Sequence, residues 1–415
     1  MKRCVFLIAL LLFSSKIFAE NFPPGWLPVA ELNKNTVWKD FREIDDRIHI
    51  YFPDKGKAVN GIFVCFVFHS ADPREMADLW NFAMVTVPWP FNYDLGHNDK
   101  RNGRYKMGHP VQDMGLLLRY LESAASETKH PELKTVPIVG WLGQNGSHLG
   151  SDLYSKAPER LLAWSDSFPN RLRQYPEFTK NVPFPFAWEV NKKDLKTKSR
   201  TYNKDKGPHY DLSCRANTYG FEHGIYSKYN FFMFYMDRCI KLRMPEKMPE
   251  PGQPVKLKAA LREEGWEGDF DPVSPWNPIA SVKSAALKDA KYPVWFPDSY
   301  AAHGWRAYHS ACTDIKICSP KFSYRGSPKG NEAQWGMGYG GFLSKDENHT
   351  FSVKLKSEFS KIEYFDGDQK LGESTGEPYE LKGIKIEAGL RVLYAVGTKA
   401  DGSKEACLPA IVIVR

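Results

Sequence analysis

The chain has 415 residues, 26% of them charged and 42% hydrophobic, with a formal net charge of +8 at neutral pH. The charge excess is modest and scattered, and no nucleic-acid-recognition motif accompanies it, so a nucleic-acid partner is not expected. At roughly 150 residues per domain the chain is too long for a single core, and two or three domains are expected.

The N-terminus pairs Lys2-Arg3 with an apolar run over 5–13 and ends in Ile17-Phe18-Ala19, a small residue at a cleavage point. Residues 1–19 therefore read as a secretory signal peptide, too short and wrongly flanked for a membrane span. A secreted or periplasmic protein is expected. No later stretch approaches the roughly 18 apolar residues of a transmembrane helix. Loss of Lys2, Arg3 and Lys16 with the leader would leave a charge of +5.

Six cysteines follow the leader: Cys65, Cys214, Cys239, Cys312, Cys318 and Cys407. An even number in an oxidising compartment permits disulfides, whose pairing the spacing does not determine. Cys65 sits inside an apolar run and equally suits a buried free thiol.

From Arg47 onward, strand-like and helix-like segments alternate. Residues 48–52 and 61–68 are strand-like, and the second (GIFVCFVF) is apolar on both faces, as a centrally placed strand requires. A helix is expected over 73–82 and a strand over 84–87. A polar loop covers 92–109, and 111–126 has helical spacing, with Met114, Leu117, Leu118 and Leu121 on one face. A strand over 135–142 leads into the turn Gly143-Gln144-Asn145-Gly146-Ser147 and a short helix ending near Pro158. Strands over 161–165 and 184–190 and a helix over 230–242 complete the alternation, which predicts a mainly parallel sheet with helices on both faces.

Proline density rises over 244–254, marking a linker. Within the irregular stretch that follows, 255–259 reads as a strand and 294–308 as a helix after Pro297. Short strands with turns such as Asp366-Gly367 and Asp401-Gly402 fill the last 70 or so residues and predict a small all-β sandwich. The expected domains are 20–245, 344–415 and an irregular connection over 246–343.

The order of parts in 47–245 resembles the α/β-hydrolase superfamily, in particular secreted bacterial esterases of the polyhydroxybutyrate-depolymerase and feruloyl-esterase type. The likeness rests on the two-sided strand ending at His69-Ser70, the glycine-bearing strand-to-helix turn after Leu142, and the helix end Pro158-Glu159-Arg160. It continues with the acid beyond 184–190 and with Gly220-Phe221-Glu222-His223-Gly224 before the last helix. The C-terminal KIEYFDGDQKLGE and LRVLYAVGTKADGS resemble Ig-like modules appended to secreted hydrolases. The resemblance implies an α/β-hydrolase-like fold followed by an Ig-like sandwich, with ester hydrolysis by a Ser-His-Asp arrangement on a carbohydrate or polymer ester.

Acyl transfer needs a nucleophile on a tight strand-to-helix turn, a histidine base, and an acid that orients the base. In the superfamily order, His223 is the candidate base and Asp194 the orienting acid, with Glu189 second. At the nucleophile, the pattern Gly-x-Ser-x-Gly meets Gln144 and Asn145, and neither amide is an acyl nucleophile. Ser147 is the nearest hydroxyl and serves if the turn is shifted; it equally suits the N-cap of the following helix. Ser70 and Asn145 are candidate substrate-binding residues.

The competing reading is a catalytically inactive relative that binds a ligand or surface polysaccharide. No cofactor is implied. His97 and His109 share a loop with Asp94 and Asp99, but their spacing matches no metal-ligand motif.

Overall fold

The computed structural model describes residues 42–45, 48–54, 56–66, 74–87, 114–143, 147–167, 176–190, 212–219, 225–270, 274, 276–309, 314–320 and 339–415. An eight-stranded sheet is built from β1 (Arg42–Asp45), β2 (Ile48–Tyr51), β3 (Gly61–Phe66), β4 (Phe82–Val87), β5 (Ile138–Gly143), β6 (Leu161–Ser167), β7 (Phe184–Val190) and β8 (Ser213–Tyr219). Its spatial order is β1-β2-β4-β3-β5-β6-β7-β8. Strands β3 to β8 run parallel, while β1 and β2 form an antiparallel margin beside β4. The parallel strands alternate between two cores. Phe63, Cys65, Val139 and Trp141 face one, and Ile62, Val64 and Ile138 face the other, as the two-residue side-chain period dictates.

Helices α1 (Arg74–Trp80) and α5 (Ile225–Arg243) pack into the first core, through residues such as Trp80, Phe231 and Tyr235. Helices α2 (Met114–Thr128), α3 (Ser147–Lys156) and α4 (Pro176–Asn181) pack into the second, through Leu117, Leu149, Leu153 and Phe178. Two buried arginines tie the amino-terminal side of the sheet. Arg160 donates to the carbonyls of Val136 (3.0 Å) and Leu133 (2.8 Å), and Arg243 donates to those of Leu161 (2.9 Å) and Lys258 (3.1 Å). Burial lowers the Arg160 pKa to about 10.

Within the stretch expected to be irregular, several of the described residues form regular elements. Strands β9 (Trp266–Asp269), β10 (Ile279–Ser281) and β11 (Pro293–Phe296) form an antiparallel sheet, and α6 (Ser299–His309) follows it. Residues 255–259, expected as a strand, form none. Strand β12 (Ile315–Ser319) pairs with β14 (His349–Leu355), which pairs with β17 (Leu381–Ile384). The last sheet runs β13 (Tyr339–Leu343), β20 (Ala410–Val414), β18 (Gly389–Thr398), β15 (Lys361–Asp366) and β16 (Gln369–Ser374), with β19 (Lys404–Ala406) also on β18.

The expected fold class is therefore corrected. Among the described residues, twenty strands in four sheets stand against six α-helices. The chain is β-rich with mixed and antiparallel sheets, not a helix-rich α/β-hydrolase-like domain carrying one small sandwich. The physical reason is that β9 to β12 are only three to five residues long. Strands that short leave little alternation to read, and tertiary packing decides them.

The C-terminal sheets share the first core with the eight-stranded sheet: Phe231, Trp295, Trp305, Ile362 and Val392 belong to one cluster. Arg238 of α5 pairs with Asp298 at 2.6 Å and lies over the Tyr300 ring at 4.7 Å. The Tyr300 hydroxyl donates to Asp366 of β15 and accepts the Val392 amide at 3.0 Å. Gly304 is required here, because a Cβ on it would come within 2.8 Å of the Phe234 ring.

Candidate functional site

Parallel strands bring all the loops that follow them to one edge of a sheet, where α/β proteins bind their ligands. Strands β3, β5, β7 and β8 are parallel members of the same sheet. The segments after them in sequence contain, in turn, Ser70, Gln144-Asn145-Ser147, Asp194 and His223. Ser70, Gln144, Asn145, Asp194 and His223 lie outside the described residues. Ser147 is the first residue of α3, and only its backbone is described. The side chain of Glu189, on β7, is likewise outside.

The described frame around the turn is tightly fitted. Trp164 of β6 is fully buried between β5 and α3. A Cβ on Gly140 would come within 2.2 Å of its ring, and one on Gly150 within 2.7 Å. These two glycines let strand and helix close on a single indole. Asp152 of α3 accepts the Met114 amide at the start of α2 (2.7 Å) and is bridged by Lys156. The ten-residue α3 thus directs its N-terminus, with its unpaired amides and positive dipole end, toward the carboxyl edge.

Across the sheet, α5 begins at Ile225, two residues after His223. It is anchored by Trp80 Nε1, which donates to Asp237 at 3.1 Å, and by Lys241 on Asp237 at 2.8 Å. Tyr235 donates to the Trp295 carbonyl at 3.0 Å, and burial pushes its pKa up. Cys214 on β8 and Cys239 on α5 are buried thiols outside any disulfide, both driven upward in pKa chiefly by burial. Cys65 and Cys407 are also buried and Cys318 is exposed, none of the five described cysteines is in a disulfide, and Cys312 lies outside the described residues.

One acidic residue at this edge escaped the sequence reading. Asp166, near the end of β6, has 0% exposure. It pairs in register with Leu142 on β5 and Phe186 on β7. The signal was present in the segment LLAWSDS, an apolar strand that turns polar at its carboxyl end. Among the described residues no group of three or more His, Cys, Asp or Glu forms a metal-binding cluster. The loop with His97 and His109 lies outside them. No helix of the described residues is long and apolar enough to cross a membrane.

No protein-family model and no curated protein matches the chain. Several solved structures show faint likeness. Fibronectin(III)-like modules of Clostridium thermocellum CbhA are 24% identical over 24% of this chain and 93% of theirs, with a TM-score of 0.19. The Bacteroides ovatus mixed-linkage glucan utilization locus protein SGBP-B, in complex with a mixed-linkage heptasaccharide, is 19% identical over 25% of each chain, with a TM-score of 0.18. Bacteroides uniformis beta-glucuronidase 2 is 10% identical over 85% of this chain and 42% of its own, with a TM-score of 0.23. The chain thus spans a quarter of the second protein's length and less than half of the third's. Scores this low carry no argument about fold or activity.

Proposed function

We propose that the chain is an exported hydrolase of carbohydrate or polymer esters, working at the carboxyl edge of the eight-stranded sheet. In this reading Ser147 attacks the ester carbonyl, His223 takes its proton and returns it to the leaving alcohol, and Asp194 orients the imidazole. Ser70 and Asn145 line the substrate. The observation that carries the reading is topological: β5, β7 and β8 are parallel in one sheet, and each is followed in sequence by one of the three residues. Support also comes from α3, whose N-terminus begins at Ser147, where a helix end stabilises developing negative charge.

A second reading is favoured by Gln144-Asn145, which occupy the point of the turn where Gly-x-Ser-x-Gly carries its hydroxyl. In that case the same edge binds a glycan or similar ligand without turnover. Assays of the mature protein with p-nitrophenyl acetate and butyrate separate the two. Turnover lost in Ser147→Ala and His223→Ala supports the hydrolase. Turnover that survives Ser147→Ala removes that residue from the mechanism. No turnover on any ester, with binding on a glycan array, favours the second reading.

A further inference from the structure

We propose that the outer stripe of α6 binds an acidic sugar residue, with Arg306 holding its carboxylate and Trp266 lying against its apolar face. The site is separate from the ester chemistry and does not depend on it. Helix α6 buries eight of its eleven residues. The other three, Ser299, His303 and Arg306, stand at i, i+4 and i+7 and form one stripe along the helix. Two half-buried indoles flank it. Trp276, in the connection between β9 and β10, carries the Arg306 guanidinium over its ring at 4.3 Å. Trp266 of β9 has its ring centre 5.7 Å from that of His303.

Arg306 is a cation without an anion. Among the described residues it makes no ion pair, and its Nε is buried with no hydrogen-bond partner. Arg238 and Arg391, by contrast, each meet an aspartate. Burial lowers the Arg306 pKa, so its charge is costly where it stands. Trp276 covers a face of the guanidinium, while the N–H groups lie in its plane, where a carboxylate accepts from two at once. A buried donor left unsatisfied costs about 1–3 kcal/mol, which an incoming acceptor recovers.

His303 supplies the complementary group. Its Nδ1 donates to the Ser299 carbonyl at 3.0 Å, and burial lowers its pKa. The ring is therefore neutral near neutral pH, and Nε2 carries a lone pair that accepts a hydroxyl. An acceptor one helical turn from a guanidinium suits a ligand that has both hydroxyls and a carboxylate. Asp368 accepts from Ser299 at the far end of the stripe. Its charge disfavours a doubly charged phosphate, and a single unneutralised cation is too few for a nucleic acid. A sugar ring carries hydroxyls at its edge and C–H groups across its faces. A flat indole covers such a face while a few placed polar groups take the edge. The net charge of +8 on the chain also draws acidic polymers.

The test is isothermal titration calorimetry on the purified full chain, with near-UV circular dichroism as the fold control. The probes are galacturonate and mannuronate trimers, the neutral trimers galactotriose and mannotriose, benzoate, and inorganic phosphate. At least one uronate trimer should bind about tenfold or more tightly than its neutral counterpart. Arg306→Gln should weaken that binding by about 10- to 100-fold, the worth of hydrogen bonding to a charged group. Arg306→Lys, which keeps the charge but loses the planar fork, should weaken it by less. Trp266→Ala should weaken uronate and neutral trimers alike. No uronate binding, neutral trimers as tight as uronates, or binding undiminished in Arg306→Gln overturns the proposal. A preference for benzoate or phosphate over every uronate also overturns it. If Arg306→Gln does not fold, Arg306→Lys decides: weakened uronate binding supports the site, and undiminished binding overturns it. Ester turnover has no part in this readout, so its absence defeats the hydrolase reading alone.

Discussion

Tyr300→Phe removes one oxygen from the seam between α5, α6 and the C-terminal sheets. That hydroxyl donates to Asp366, which is 3% exposed, and accepts the Val392 amide at 3.0 Å. Without it, the main side-chain partner left to the carboxylate is Arg391 at 3.5 Å. A hydrogen bond to a buried charged group contributes about 1.5–3 kcal/mol, and leaving its partner unsatisfied adds to the loss. The ring packing against Phe234 and beneath Arg238 is retained. The expected destabilisation is therefore about 2–3 kcal/mol. Urea unfolding followed by tryptophan fluorescence and by far-UV circular dichroism measures it. The midpoint should fall in both signals together, because Trp295, Trp305 and Ile362 share one core. A loss below about 0.5 kcal/mol, the level of an ordinary surface change, would refute the reasoning. So would two separated transitions in the wild type.

Three further outcomes are expected. Burial raises the Asp366 pKa above its ordinary value, so the folded state binds that proton more tightly than the unfolded chain. Its contribution to stability is complete below the unfolded Asp value, near pH 4, and declines as pH rises through the folded value. Asp366→Asn should flatten that decline, and an unchanged stability-versus-pH curve would contradict it. Gly140→Ala should destabilise by about 1–3 kcal/mol through overpacking against Trp164, with Trp164→Phe restoring part of the loss in thermal unfolding. Of the five described cysteines, only Cys318 should react with a thiol reagent in the native protein, read by peptide mapping; modification of Cys214 or Cys239 before unfolding would contradict their burial.

Much of the eight-stranded sheet was legible because its strands carry long apolar runs. GIFVCFVF announced β3, and the expected strand over 184–190 coincides with β7. The amphipathic spacing expected over 230–242 lies within α5, which begins five residues earlier at Ile225. The fold class was misjudged elsewhere, where periodicity is weakest. Around β9 to β11 the side chains that set the structure are aromatic, widely spaced and interrupted by proline. Trp295 and Trp305 are fully buried only because β11 and α6 fold back onto α5. No local pattern records that return. Residues 255–259 misled in the opposite sense: Val255 joins the second core, and Lys258 gives its amide to the Arg243 carbonyl without forming a strand. At the candidate site, residue type and chain order pointed to Ser147, His223 and Asp194. The run LLAWSDS shows Asp166 only as a polar turn at the end of a strand, while its complete burial and its register beside β5 come from packing.

The central claim is that Ser147 is an activated nucleophile. Mass-spectrometric mapping of the protein after treatment with a fluorophosphonate tests it most directly. The account predicts a single adduct on the Ser147 peptide, present in the folded protein and absent from His223→Ala. An unlabelled Ser147 in folded protein that hydrolyses esters, or an adduct undiminished in His223→Ala, would contradict it.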